Sequence, residues 1–142
     1  MNVKIKKLCA DAVIPKYAKD GDAGLDLVST SRYSDANGQI THGTGLAVEI
    51  PDGFVGFIFP RSSIAKTNMS LCNAVAVIDS SYRGELILKF NVHNPSNNMV
   101  LYKVGERIGQ LVIMPYPKIT LVEVDELSTT DRGVGGFGSS GS

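Results

Sequence analysis

An all-β domain is the fold class this 142-residue sequence predicts, on three observations. Apolar residues alternate with a period of two, turn-forming residues separate the alternating runs, and only one short stretch has room for a helix. In chain order, Leu46, Val48 and Ile50 alternate with Ala47 and Glu49. Val55, Phe57 and Phe59 alternate with Gly56 and Ile58, and Leu86, Leu88, Phe90 and Val92 with Ile87, Lys89 and Asn91. Branched and aromatic residues of this kind suit a pleated, half-buried surface. Turn signals stand between the runs: Ala36-Asn37-Gly38, Pro51-Asp52-Gly53, Arg83-Gly84, and the polar stretch from Asn94 to Asn98. Strand candidates recur roughly every 8 to 12 residues through Val124, the rhythm of a sandwich or barrel. The one helix expected is short, from Ser62 to Lys66, just after Pro60.

Composition narrows the function. Lys plus Arg and Asp plus Glu number 14 each, so the formal charge is zero. No broad basic field exists to hold a nucleic acid polymer. Apolar residues are 43% of the chain, enough for one packed core. No apolar run approaches the ~20 residues of a membrane span, and the first residues lack the apolar stretch of a signal peptide. A cytoplasmic protein, or one acting inside a host cell if the source is viral, is the expectation. Two cysteines and two histidines cannot build a structural zinc site or a disulfide framework. Cys9 and Cys72 read as reduced, small apolar residues, and His42 and His93 read as loop residues without a role.

From Arg132 to Ser142 the chain is rich in glycine and serine, so the domain is expected over 1–131 and a flexible tail over 132–142. The tail matches Gly-x-Gly-x-x-Gly from Gly133 to Gly138, but the strand and helix that a dinucleotide site requires are missing. Four of the five arginines stand in short polar or glycine-containing clusters: Arg61, Arg83, Arg107 and Arg132. Arginine is favoured where a planar fork must hold phosphate or carboxylate. With Ser62, Ser63, Ser139 and Ser140 beside them, these arginines point to an oligophosphate ligand.

Five separated strings then carry a family likeness. They are Gly21-Asp22-Ala23-Gly24-Leu25-Asp26-Leu27; Pro60-Arg61-Ser62-Ser63; Asn73 with Val77-Ile78-Asp79-Ser80-Ser81-Tyr82-Arg83-Gly84; Gly105-Glu106-Arg107-Ile108-Gly109-Gln110-Leu111; and Arg132-Gly133 with Gly136-Phe137-Gly138-Ser139-Ser140-Gly141. In this order they resemble the five motifs of the trimeric dUTP pyrophosphatases, the dUTPases, from about Tyr17 to the C-terminus. The resemblance implies a jelly-roll-like, distorted β-barrel and a homotrimer with active sites between subunits. It implies hydrolysis of dUTP to dUMP and pyrophosphate, by water attacking the α-phosphorus with Mg²⁺ on the triphosphate.

The resemblance also implies roles. Asp79 would be the base that activates water; its alternative is an Asx turn into Ser80. Tyr82 would lie under the sugar and exclude a 2′-hydroxyl; alone, it could be a core or turn tyrosine. Asn73 and the backbone from Ala76 to Ile78, Val77 and Ile78 among it, would read uracil. Arg61, Ser62 and Ser63 would bind the α- and β-phosphates, and Gln110 would add an amide donor at the α-phosphate; its alternative is an ordinary outward-facing strand residue. Asp26 would reach Mg²⁺ through water; its alternative is a plain strand-edge carboxylate. Phe137 would stack on the uracil, with Gly138 next to it also substrate-binding, and Arg132, Ser139 and Ser140 would close over the β- and γ-phosphates. Arg83 and Arg107 are assigned to structure, Arg107 as an ion pair beside Glu106 or at an interface. One departure stands out: Ala76 occupies a position where the family usually has glycine, so an added methyl is expected at the uracil pocket.

Two rivals remain open. A dCTP deaminase shares this fold, but that branch carries arginine where Lys66 stands and lacks the Phe-containing serine tail. A nucleotide-sensing regulator could use the same scaffold to bind a partner protein.

Overall fold

The structure, a computed structural model, describes residues 1–94 and 98–136. Among the described residues ten strands form: β1 (Lys4–Lys7), β2 (Leu25–Val28), β3 (Ser31–Ser34), β4 (Ile40–Gly43), β5 (Leu46–Glu49), β6 (Phe54–Phe59), β7 (Met69–Leu71), β8 (Ala76–Ile78), β9 (Ile87–Val92) and β10 (Arg107–Pro115). The only helix among the described residues is a 3₁₀ turn at Ser62–Lys66, the place the sequence reserves for it. Among the described residues no helix is long and apolar enough to cross a membrane.

The strands make the expected jelly-roll-like barrel from two antiparallel four-stranded sheets, ordered β2-β10-β6-β8 and β3-β4-β9-β7, with β1-β5 as a two-stranded addition. Between the sheets lies one core that includes Leu27, Ile58, Leu88, Phe90, Ile108 and Leu111, each 2% exposed or less. Each such side chain contributes roughly 1.5–3 kcal/mol relative to exposure. Strand β6 fits this core by an asymmetric alternation: Gly56 and Ile58 are buried, while Val55, Phe57 and Phe59 remain half-exposed. Its aromatic face therefore looks outward, with the Phe57 and Phe59 rings 5.9 Å apart. The turn into β6 needs Gly53, whose φ of 80° lies in the left-handed region that favours glycine.

Three expectations need correction. The alternation from Ile119 to Val124 makes no strand; Ile119, Leu121 and Val122 are 74%, 88% and 77% exposed. Alternating residues become a strand only when they pair with a sheet edge, and among the described residues this segment pairs with none. His42 is no loop residue: it lies in β4 and is fully buried. Both cysteines are free as expected, yet exposed rather than apolar filling.

Candidate active site

The site is built on the row where β2, β10 and β6 meet. Gln110 of β10 pairs with Asp26 on one side and with Phe59 on the other. Directly opposed residues in a sheet share a face, so this register sets Asp26 and Gln110 side by side at the foot of Arg61. Arg61 leaves β6 in an extended conformation and opens the 3₁₀ helix. Asp26, Arg61, Ser62, Arg107 and Gln110 line one cleft. Gln110 Nε2 donates to the Pro60 carbonyl at 3.2 Å, which spends one amide hydrogen and leaves the other free. Its carbonyl end lies over Gly24, where any Cβ would collide with it.

Asp26 is the centre of this cleft. Arg61 Nε donates to one carboxylate oxygen at 2.7 Å, and Arg107 Nη1 to the other at 3.0 Å. The side chains of Asp26 and Arg61 are only 22% and 24% exposed, so the charge-assisted bond is shielded from water on most sides. Arg107 thus pairs with Asp26 and not with Glu106, whose carboxylate instead accepts from the Lys103 amide at 2.8 Å. Arg61 also reaches Ser63 Oγ at 3.4 Å, and Ser63 meets the Tyr102 hydroxyl at 3.3 Å.

Asp79 stands elsewhere. In the β6–β8 register Ile78 faces Gly56 and Ala76 faces Ile58, so the chain runs away from Arg61 as it approaches Asp79. From the residue opposite Asp79 to Arg61 is six extended residues, about 20 Å at ~3.3 Å each. Asp79 lines a separate cleft with Phe54, Phe57, Val77, Ser80 and Tyr116. It is exposed, and among the described residues its carboxylate has no ion pair. Beyond it Tyr82 is pinned: its hydroxyl donates to the Glu85 carbonyl at 2.9 Å, and its ring lies where a Cβ on Gly84 would be. Arg83 closes this loop through the Ser80 and Tyr82 carbonyls at 2.6 and 2.9 Å, in keeping with the structural role assigned to it.

Asn73, at a turn where Ala74 has φ 56°, lines a third groove with Pro60 and Ile64. Strand β8 is the edge of its sheet, so alternate backbone N–H and C=O groups of Val77 and Ile78 point outward with no strand beyond them. Ala76 is 9% exposed and belongs to the core, so its methyl fills the interior and does not narrow a cleft. Arg132 is exposed, with Nε on the Gly135 carbonyl at 2.9 Å. Phe137, Gly138, Ser139 and Ser140 lie outside the described residues. One chain therefore gathers Asp26, Arg61, Ser62 and Gln110, and keeps Asp79, Tyr82 and Asn73 apart from them.

With this geometry in view, the dUTPase family model matches residues 10–141. The chain belongs to the dUTPase family. Among relatives of this dUTPase, the deoxyuridine 5′-triphosphate nucleotidohydrolase of Nautilia profundicola is 45% identical over 99% of both chains. That of Thermobifida fusca is 42% identical over 99% of this chain and 79% of its own. Among solved structures, a Staphylococcus bacteriophage 80alpha dUTPase with dUpNHpp superposes with a TM-score of 0.83 at 30% identity, over 99% of each chain.

Tyr102 is the functional candidate that sequence reading missed. A single tyrosine in a connection between strands carries no pattern, and only its contact with Ser63 marks it.

Proposed function

We propose that this dUTPase hydrolyses dUTP to dUMP and pyrophosphate, which limits uracil entry into DNA and supplies dUMP for dTMP synthesis. One observation carries the mechanism. The guanidinium-and-serine cradle and the exposed carboxylate Asp79 lie at opposite ends of β6, about 20 Å apart, so a working site takes one from each of two chains. A homotrimer with interfacial sites is the assembly we propose. Its supports are the outward aromatic face of β6, the bare edge of β8 and the exposed apolar segment from Ile119 to Leu127. Each is surface that a lone barrel leaves wet.

Within that assembly Arg61, Ser62, Ser63 and Gln110 hold the α- and β-phosphates, with Asp26 fixing the Arg61 fork. Asn73 and the β8 backbone at Val77 and Ile78 receive uracil. Tyr82 supports the deoxyribose on a ring its own loop has locked. Asp79 takes a proton from the water that attacks the α-phosphorus, a contribution of roughly 10² to 10⁴ in rate. Residues 132–142 form a tail that closes over a site, bringing Arg132, Phe137, Gly138, Ser139 and Ser140 to the nucleotide.

The donor set fits Mg²⁺ only as an outer partner. No group of three or more His, Cys, Asp or Glu gathers among the described residues, and both Asp26 oxygens already accept from arginine. Each oxygen keeps a lone pair, enough to hold a metal through its water. Bound there on the triphosphate, Mg²⁺ would neutralise phosphate charge. The small, highly charged substrate, which does not cross a membrane unaided, supports a cytoplasmic setting.

Incubating the protein with dUTP, dCTP and UTP, and separating the products, tests the reading. Pyrophosphate and dUMP from dUTP alone are expected; ammonia release from dCTP, or no turnover of dUTP, would overturn it.

A further inference from the structure

Tyr102 lies in the connection before β10, 5% exposed. Its ring packs edge-on against Phe90, with centroids 5.6 Å apart, and its amide faces Met69 Sδ at 3.3 Å. A leucine or phenylalanine could fill this place, yet a hydroxyl is present, and a buried tyrosine hydroxyl ordinarily has a partner. The partner is Ser63 Oγ, at 3.3 Å. Ser63 Oγ in turn accepts from Arg61 Nη1 at 3.4 Å.

A serine hydroxyl offers one donor and two acceptor lone pairs. Arg61 can only donate, so it fills one lone pair. If Tyr102 also donates, both lone pairs are taken and the Ser63 O–H is the only group left to act. It must then point away from both neighbours. In the opposite arrangement, with Ser63 donating to Tyr102, a lone pair would face the phosphate, which an anion repels.

We infer that Tyr102 is a positioning residue: by donating to Ser63 it aims the Ser63 hydroxyl, as a donor, at the phosphate chain of the substrate. The inference rests on the phosphate-binding role proposed above for Ser63. It gives one polar atom of the core a purpose at the site, and it ties the 3₁₀ helix to the barrel at a residue no motif includes.

The test is a double-mutant cycle on the full chain: wild type, Tyr102→Phe, Ser63→Ala and the double variant, each assayed with dUTP and Mg²⁺ and each melted. Tyr102→Phe removes only the hydroxyl. It should lower kcat/KM about three- to tenfold, the worth of one neutral hydrogen bond, and leave Tm within about 3 °C. In the Ser63→Ala background the same substitution should change kcat/KM less than about twofold, because the group it aims is gone. An equal loss in both backgrounds would make Tyr102 a packing residue and overturn the inference. So would unchanged kinetics in Tyr102→Phe alone, or a Tm loss larger than about 5 °C, which would place the hydroxyl in the service of the fold. A wild-type protein that leaves dUTP intact would instead overturn the functional reading, and with it this inference.

Discussion

The two ends of β6 are prepared differently. At one end Arg61 is clamped by Asp26, steadied by Ser63 and backed by Gln110 on the next strand. At the other, Asp79 is exposed beside an apolar cleft of Phe54, Phe57, Val77 and Tyr116. The first end is a guanidinium already fixed by its neighbours within one chain. The second is a carboxylate waiting for surroundings. Electrostatic stabilisation depends on donors fixed before the charge arrives, and a fork held by a carboxylate cannot turn away from phosphate. A base has a different need: it must meet one water in one place, and in the assembly we propose that place exists only once a second chain brings the phosphate. On that reading the single chain is ordered for binding and incomplete for chemistry.

Breaking the open end should have the largest effect. Asp79→Asn should cut kcat by roughly 10² or more while the affinity for dUMP and the Tm stay near wild type. Isothermal titration with dUMP beside steady-state turnover checks it. Asp26→Asn, at the clamped end, should lower kcat/KM about tenfold or more, because two arginines lose an ionised acceptor. Here dUMP affinity should fall as well, and the Mg²⁺ concentration for half-maximal rate should rise. A loss confined to kcat would show that Asp26 does not organise the cradle.

Tyr82→Ala should raise turnover of UTP relative to dUTP, by about tenfold if the ring alone fills the space below C2′. Equal losses with both substrates would make Tyr82 a support of its loop.

The smallest effect on turnover should come from His42, distant in role from either end. Burial holds its imidazole down from 6.5 to about 4, with Nδ1 on Ser29 Oγ at 2.8 Å and Nε2 without a partner among the described residues. The folded protein thus binds this proton less readily than the unfolded chain. Its stabilising effect is complete above pH 6.5 and is lost as pH falls toward 4, a change on the order of 3 kcal/mol. Urea midpoints should decline across that window in the wild type and less steeply in His42→Asn. Equal slopes would remove His42 from the account.

The barrel was largely legible because period-two alternation is a direct imprint of the pleat, as in Leu88 and Phe90 pointing into the core. The 3₁₀ turn was legible through Pro60 and the serines after it. The segment from Ile119 to Val124 was misread for a physical reason: alternation records a wish to be paired and says nothing of where the partner is. His42 was misread because a histidine in Ile-Thr-His-Gly carries no apolar signature, though Ser29 and the Phe90 ring receive it. At the site, motif residues were named one by one. Their grouping was not, since the separation of Asp79 from Arg61 depends on strand register, which no motif encodes.

Mixing two crippled subunits tests the central claim most directly. Arg61→Ala should disable the cradle and Asp79→Asn the base, and each homotrimer should be nearly inactive. After unfolding and refolding them together at equal amounts, one interface in about four should pair an intact Asp79 with an intact Arg61 from different chains. Activity should then rise to about a quarter of wild type per site. Heterotrimers verified by mass and still inactive would mean that one chain supplies both groups, and the two-ended account would be wrong.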